Sequence, residues 1–252
     1  MRRLLLTLEY DGTDFSGWQV QPEGRTVQGA LEEAVRRTTG EQVRVCGAGR
    51  TDAGVHAEGQ TAHFDTESDL DPERMRGALN HYLPADASVL DCRRVAADFD
   101  AQRRATSKLY RYRILISGPR RPLRERYVLR RWQPLDIRKM AECAALLEGE
   151  HDFTSFASEH ATVQSCVRRI LRSELVESGD ELHYFIEGEG FLYNMVRIIV
   201  GTLIEVGRGY MDPGEFADAL AARDRTAAGP TAAARGLTLV CVRYPDDPRE
   251  RD

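Results

Sequence analysis

The sequence predicts an α+β fold built from two like halves. Three observations carry this expectation: helical periodicity and strand alternation take turns along the chain, neighbouring strand candidates are separated by turns short enough for hairpins, and the order strand, helix, strands, helix, strand occurs twice. Helices lying between strands that also form hairpins are expected to pack on one face of antiparallel sheets.

The first half opens with a strand over residues 3–10, bounded by Asp11-Gly12. A helix follows from about Val27 to Thr38, with Val27, Ala30, Leu31, Ala34, Val35 and Thr38 on one face and Thr26 at the N-cap. A strand over Gln42–Cys46, a turn over Gly47–Gly54 and a strand through Thr61–Asp65 come next. Asp71-Pro72 opens a second helix, proline being pre-set for the first helical position, and Met75, Ala78, Leu79, Tyr82 and Leu83 line its apolar face. Strands near Ser88–Ala96 and over the alternating run Lys108–Ile116 complete the pattern.

The second half repeats it. Asp136 caps a helix carrying Ile137, Met140, Ala141, Ala144 and Leu147. Strands over Val167–Glu177 and Glu181–Glu187 form a hairpin around Ser178-Gly179-Asp180. Phe191–Val206 reads as a helix apolar nearly all round, hence buried in a core. Asp212-Pro213 opens a short helix with Phe216, Ala219 and Leu220, and Leu237–Tyr244 is a last strand. The expected division is therefore 1–105, 106–245 and a polar tail at 246–252.

Composition narrows the class. No apolar run reaches the ~20 residues that span a bilayer, and Glu9 and Asp11 cut short the apolar start Leu4-Leu5-Leu6 before it could serve as a signal peptide. A soluble cytoplasmic protein with no membrane partner is expected. The cysteines Cys46, Cys92, Cys143, Cys166 and Cys241 are odd in number and widely spaced, which argues against a disulfide framework. Neither they nor the histidines show zinc-ligand spacing, so no metal is expected.

Charge is placed unevenly. Between Ala101 and Pro134 stand Arg103, Arg104, Lys108, Arg111, Arg113, Arg120, Arg121, Arg124, Arg126, Arg130 and Arg131 against the single acid Glu125, so this stretch carries +10 and the rest of the chain −15, for a total of −5. Tyr110, Tyr112, Tyr127 and Trp132 are interleaved with these cations. A solvated basic face is one reading; a surface that grips phosphates and stacks bases is the other. Lysine occurs only at Lys108 and Lys139, so the positive charge is nearly all guanidinium, the better group for bidentate phosphate contact. Nucleic acid becomes the leading partner class, and the acidic remainder discourages indiscriminate binding.

The informative motif is Gly47-Ala48-Gly49-Arg50-Thr51-Asp52-Ala53-Gly54-Val55-His56. As a dinucleotide fingerprint it fails, because Asp52 stands where the third glycine belongs. As a phosphate-binding P-loop it lacks the lysine and hydroxyl, with Val55 and His56 in their places. A glycine-bracketed loop holding the carboxylate of Asp52 beside the guanidinium of Arg50 remains, and so does an ordinary turn.

The block Gly49–His56 resembles the signature of the tRNA pseudouridine synthase A family. Other blocks match in order: Glu9-Tyr10-Asp11-Gly12 with Phe15-Ser16-Gly17-Trp18-Gln19, then Arg25-Thr26-Val27-Gln28, Lys108-Leu109-Tyr110-Arg111-Tyr112, His151–Phe156 and Phe191–Gly201. The likeness runs from about residue 3 to residue 244. It implies two similar ferredoxin-like, RRM-like halves with joined antiparallel sheets, helices on one face and a central active-site cleft. It implies a homodimer that isomerises uridine to pseudouridine at positions 38 to 40 of the tRNA anticodon arm, without a cofactor and without acting on DNA. By the same resemblance Asp52 is the nucleophile, Tyr110 contacts the substrate, and Arg50 and Arg197 support the site. His56 and His63 are expected to be structural. A non-catalytic RNA-binding protein of the same fold is the alternative, against which an aspartate facing a polyanion speaks.

Overall fold

The computed structural model describes residues 1–158 and 164–245, and over them the chain is α+β as expected. The expected polar tail at 246–252 lies outside the described residues.

Strand β1 (Arg2–Tyr10) runs antiparallel to β3 (His56–Thr66) on one side and to β4 (Ala87–Val95) on the other. Leu4, Leu5, Leu6 and Leu8 are all buried, which is why the strand reads as a continuous apolar run instead of an alternating one. Helix α1 (Val27–Thr39) starts where Thr26 accepts from the Gly29 N–H, and α2 (Pro72–Tyr82) where Asp71 accepts from the Arg74 N–H. Val27, Leu31, Ala34 and Val35 of α1 and Met75 and Leu79 of α2 are the buried stripes.

The strand expected at Gln42–Cys46 shrinks to β2 (Cys46–Gly47), which pairs with β3. The reason lies in α1. Glu32 Oε1 accepts from the Val45 N–H at 3.0 Å, and Gln28 Nε2 donates to the Val45 carbonyl at 3.1 Å. Side chains thus satisfy backbone groups that a strand partner would otherwise take.

The chain then builds β5 (Ser107–Ile116), β6 (Leu129–Arg131), α3 (Ile137–Ala145), β7 (Gly149–Asp152), β8 (Val167–Ser178), β9 (Glu181–Gly188), α4 (Met195–Gly207) and α5 (Pro213–Ala222). Strands β5, β9, β8 and β7 lie side by side and antiparallel, with β6 parallel to β5. The β8–β9 hairpin turns at Gly179, whose φ of +64° suits glycine. Two of these strands, β6 and β7, were not expected, being three and four residues long and mostly charged or polar. Asp136 caps α3 and Asp212 forms a full capping box on α5, both as expected. Helix α4 is buried along almost its whole length but begins at Met195, four residues later than periodicity suggests, because Asn194 adopts a left-handed conformation with φ 61°.

The last strand, β10 (Leu237–Arg243), pairs in parallel with β3 through Thr238↔His56 and Leu239↔Ala57. The described residues divide into two compact units: Met1–Thr106 together with Thr238–Pro245, and Ser107–Leu237. The sequence grammar counts this strand with the second half; its hydrogen bonds and packing within the first unit are what place it there. Tyr244 Oη donates to the Ala101 carbonyl at 2.8 Å and lies 2.6 Å from Thr61 Oγ1, and a side chain at Gly59 would collide with the Val240 carbonyl. No helix of the described residues is long and apolar enough to cross a membrane.

Candidate active site

The loop between β2 and β3 carries Arg50 and Asp52, and its shape is imposed from the N-terminal segment. The first backbone N–H groups of α1 need acceptors; Val27 donates to the Gly17 carbonyl and Gln28 to the Trp18 carbonyl. With Gly17 and Trp18 so fixed, Trp18 donates its own N–H to the Thr51 carbonyl at 3.0 Å, and Gly54 donates to the Phe15 carbonyl at 3.3 Å. Beneath the loop, Gln60 Nε2 donates to the Gly49 carbonyl and the Ala48 N–H to the Thr61 carbonyl.

Glycines appear where chain meets chain. Gly17 has φ +88°, and a Cβ there would come within 2.8 Å of the Thr51 carbonyl oxygen. A Cβ on Gly12 would overlap the Val55 carbonyl, and one on Gly47 would strike the Trp18 ring at 2.6 Å. Thr51 is buried and its hydroxyl lies 2.7 Å from Tyr10 Oη. Burial pushes the Tyr10 hydroxyl up to about 12, against hydrogen bonds from Thr51 and Gln60 that lower it, so the phenol stays neutral. The outcome is an alternation: Thr51 points inward as the anchor, Asp52 is half-buried, and Arg50 is exposed. His56 Nδ1 accepts from the Gly12 N–H and His63 Nδ1 from the Ala101 N–H, each at 3.1 Å. Desolvation lowers the His63 pKa and favours its neutral, accepting form.

Tyr110 sits on β5 opposite Ile186, buried, with its ring edge-on to Phe191 at 5.1 Å and 84°. Gly188 leaves the room that Phe191 needs, since a Cβ there would lie 3.2 Å from the ring.

Arg197 lies in the first turn of α4 and is half-buried. Its Nε donates to the Ala232 carbonyl and its Nη1 to Asn194 Oδ1, each at 2.8 Å, while the Ala232 N–H donates to the Arg197 carbonyl. The segment bearing Ala232 can reach α4 because Gly201 and Gly229 lie at the crossing: a Cβ on Gly201 would overlap the Pro230 carbonyl, and one on Gly229 would be 2.8 Å from Thr202 Cα. Sequence reasoning singled out Arg197 but gave no role to Asn194, Gly201 or Ala232. It also gave none to Tyr10, Gly12, Gly17 and Thr51. Two glycines set among aromatic residues near the N-terminus were the available signal.

Part of the basic segment is committed to protein partners. Arg113 forms a forked pair with Glu181 at 2.7 and 2.8 Å, and Arg124 bonds both Asp180 and Glu181 at the β8–β9 turn. Arg130 donates to the carbonyls of Ser117 and Gly118. These cations hold protein together. Arg103, Arg120 and Arg126 are exposed. Among the described residues no three His, Cys, Asp or Glu side chains group as metal ligands would.

A family model described as tRNA pseudouridine synthase matches residues 7–102 and 143–245, which include the loop of Asp52 and the helix of Arg197. The chain is 48% identical over 244 residues to a tRNA pseudouridine synthase A of Brevibacillus brevis, covering 97% of this chain and 100% of that one. It is 47% identical over 249 residues to one of Geobacillus kaustophilus, covering 98% and 96%, and 46% identical over 253 residues to one of Myxococcus xanthus, covering 100% and 95%. The chain belongs to the tRNA pseudouridine synthase A family, a family of isomerases.

Proposed function

We propose that the chain isomerises uridines 38 to 40 in the anticodon stem-loop of tRNA to pseudouridine, with Asp52 as nucleophile, and that it does so as a cytoplasmic homodimer without a cofactor. The observation that carries the reading is the position of Asp52: a half-buried carboxylate between an anchored Thr51 and a turning Gly54, on a loop whose backbone is clamped from three directions. Catalysis by a carboxylate needs this kind of fixed geometry before the substrate arrives.

The chemistry fits one carboxylate. The bond from uracil N1 to ribose C1′ breaks, the base turns, C5 bonds to C1′, the C5 proton leaves and N1 gains one. The product is an isomer, so no electron is gained or lost and no water is consumed. A hydrolytic glycosidase needs a second carboxylate to handle a leaving group or a water; an enzyme that returns the base to the same sugar does not. Tyr110 supplies a ring against which an everted uracil can stack and a hydroxyl for hydrogen bonding. Arg50 assists eversion of the base, and Arg197 supports the ionised carboxylate.

The test uses purified protein and an unmodified tRNA transcript, with pseudouridine mapped along the product. Modification confined to positions 38 to 40, lost below detection in Asp52→Asn while tRNA is still bound, supports the reading. A tenth of wild-type turnover in Asp52→Asn, or modification elsewhere in the tRNA, overturns it. Asp52→Asn with Arg197→Met should lose no more activity than either change alone, because two groups acting as one unit are not additive.

A further inference from the structure

We propose that Asn194 is a positioning residue for Arg197: its side chain forgoes capping α4 in order to orient the guanidinium. The inference rests on the reading of Arg197 as a support of the active site. Of the five α-helices among the described residues, four begin with a side chain that accepts a backbone N–H of the first turn. Thr26 accepts from Gly29, Asp71 from Arg74, Asp136 from Lys139 and Asp212 from Glu215. Asparagine is among the best residues for that task. Asn194 makes no such bond.

The backbone explains the difference. N-cap residues ordinarily sit in the extended region, as Thr26, Asp71 and Asp212 do. Asn194 has φ 61° and ψ 3°, one of two residues other than glycine with positive φ among those described. Asparagine tolerates that region better than most residues. Its side chain meets the guanidinium three residues on, with Oδ1 accepting from Arg197 Nη1 at 2.8 Å.

Ala232 closes the other side of the clamp. Its carbonyl accepts from Arg197 Nε at 2.8 Å, and its N–H donates to the Arg197 carbonyl at 3.0 Å, so side chain and backbone of the arginine are tied to one residue. Both acceptors of the guanidinium in this clamp are neutral. They fix its plane and engage two of its five N–H groups without supplying a counter-charge.

Two variants separate this role from a merely structural one. Asn194→Gly keeps the left-handed backbone and deletes the acceptor; Asn194→Asp keeps backbone and acceptor. In steady-state pseudouridine formation, Asn194→Gly should lower kcat about tenfold with KM for tRNA within twofold of wild type, and Asn194→Asp should recover kcat to within about threefold. In an Arg197→Met background Asn194→Gly should cause no further loss. Thermal unfolding within a few degrees of wild type for Asn194→Gly shows that the loss is not one of folding. If Arg197→Met loses activity while Asn194→Gly keeps kcat within twofold, or if Asn194→Asp does no better than glycine, the positioning role is wrong and the reading of Arg197 survives. If Arg197→Met itself retains full kcat, both fall together.

Discussion

Tyr10 and Thr51, 41 residues apart in the chain, meet hydroxyl to hydroxyl at 2.7 Å in a site from which both are hidden from solvent. Asp52 is the next residue, so the backbone that carries the proposed nucleophile is anchored through a phenol on β1. Tyr10→Phe removes one hydroxyl and strands the other. The expected cost is about 1–2 kcal/mol of stability, read by denaturant unfolding, together with a several-fold fall in kcat at unchanged tRNA affinity. A loss of stability with full kcat would show that the loop holds its shape without this bond.

Two glycines give opposite outcomes. Gly12 faces the Val55 carbonyl with no room for a methyl group, whereas Gly77, exposed in the middle of α2, has nothing within 4 Å. Gly12→Ala should destabilise the protein by roughly 1–3 kcal/mol and reduce turnover with it. Gly77→Ala should stabilise it by about 0.5–1 kcal/mol through the lower helical cost of alanine. Equilibrium urea unfolding of the two variants side by side checks both signs.

Acid stability should depend on the β8–β9 turn. Burial by itself would raise the Glu181 pKa, but hydrogen bonds from Arg113, Arg124 and His183 outweigh it and hold the carboxyl at about 2. A group with a depressed folded pKa stabilises the protein above its unfolded value, here near 4.5, and that contribution fades as pH falls toward 2. Stability of the wild type should therefore decline through this window, and Glu181→Gln should flatten that part of the profile while being less stable than wild type at neutral pH. A profile of unchanged slope in the variant would assign the acid sensitivity to other carboxylates.

The arginines of the basic segment should separate by experiment. Arg124→Ala breaks bonds to Asp180 and Glu181 and should lower stability while leaving the salt dependence of tRNA binding intact. Arg103→Ala with Arg120→Ala, both exposed, should flatten the slope of log affinity against log salt by roughly 0.7–0.9 for each phosphate that is no longer neutralised. Filter binding across a salt series measures the slope. An unchanged slope in the double variant would make this a solvated face.

What the sequence discloses is what neighbours along the chain decide. Thr26, Asp71, Asp136 and Asp212 announce helix starts because a cap and its N–H are three residues apart. The Asp52 loop is marked by its glycines. What stayed hidden depends on partners far away. Glu32 and Gln28 take the backbone of Val45 and erase most of a strand. Arg124 is committed to residues 56 and 57 positions further on, so a local count of charge cannot tell it from a phosphate ligand. The late start of α4 turns on one dihedral angle at Asn194, which periodicity does not register.

The return of β10 to the first unit has a consequence for how the chain is made. Thr61 must wait for Tyr244, 183 residues later, before its hydroxyl finds that partner, and His56 and Ala57 must wait for Thr238 and Leu239. At ribosomal speeds of about 5–20 residues per second this delay is roughly ten to forty seconds. During it, the nascent first unit keeps part of β3 as an open strand edge, the kind of surface on which unfinished chains pair with one another. Slowing translation between Ser107 and Leu237 lengthens that exposure, so the codons of the second unit bear on the yield of the first.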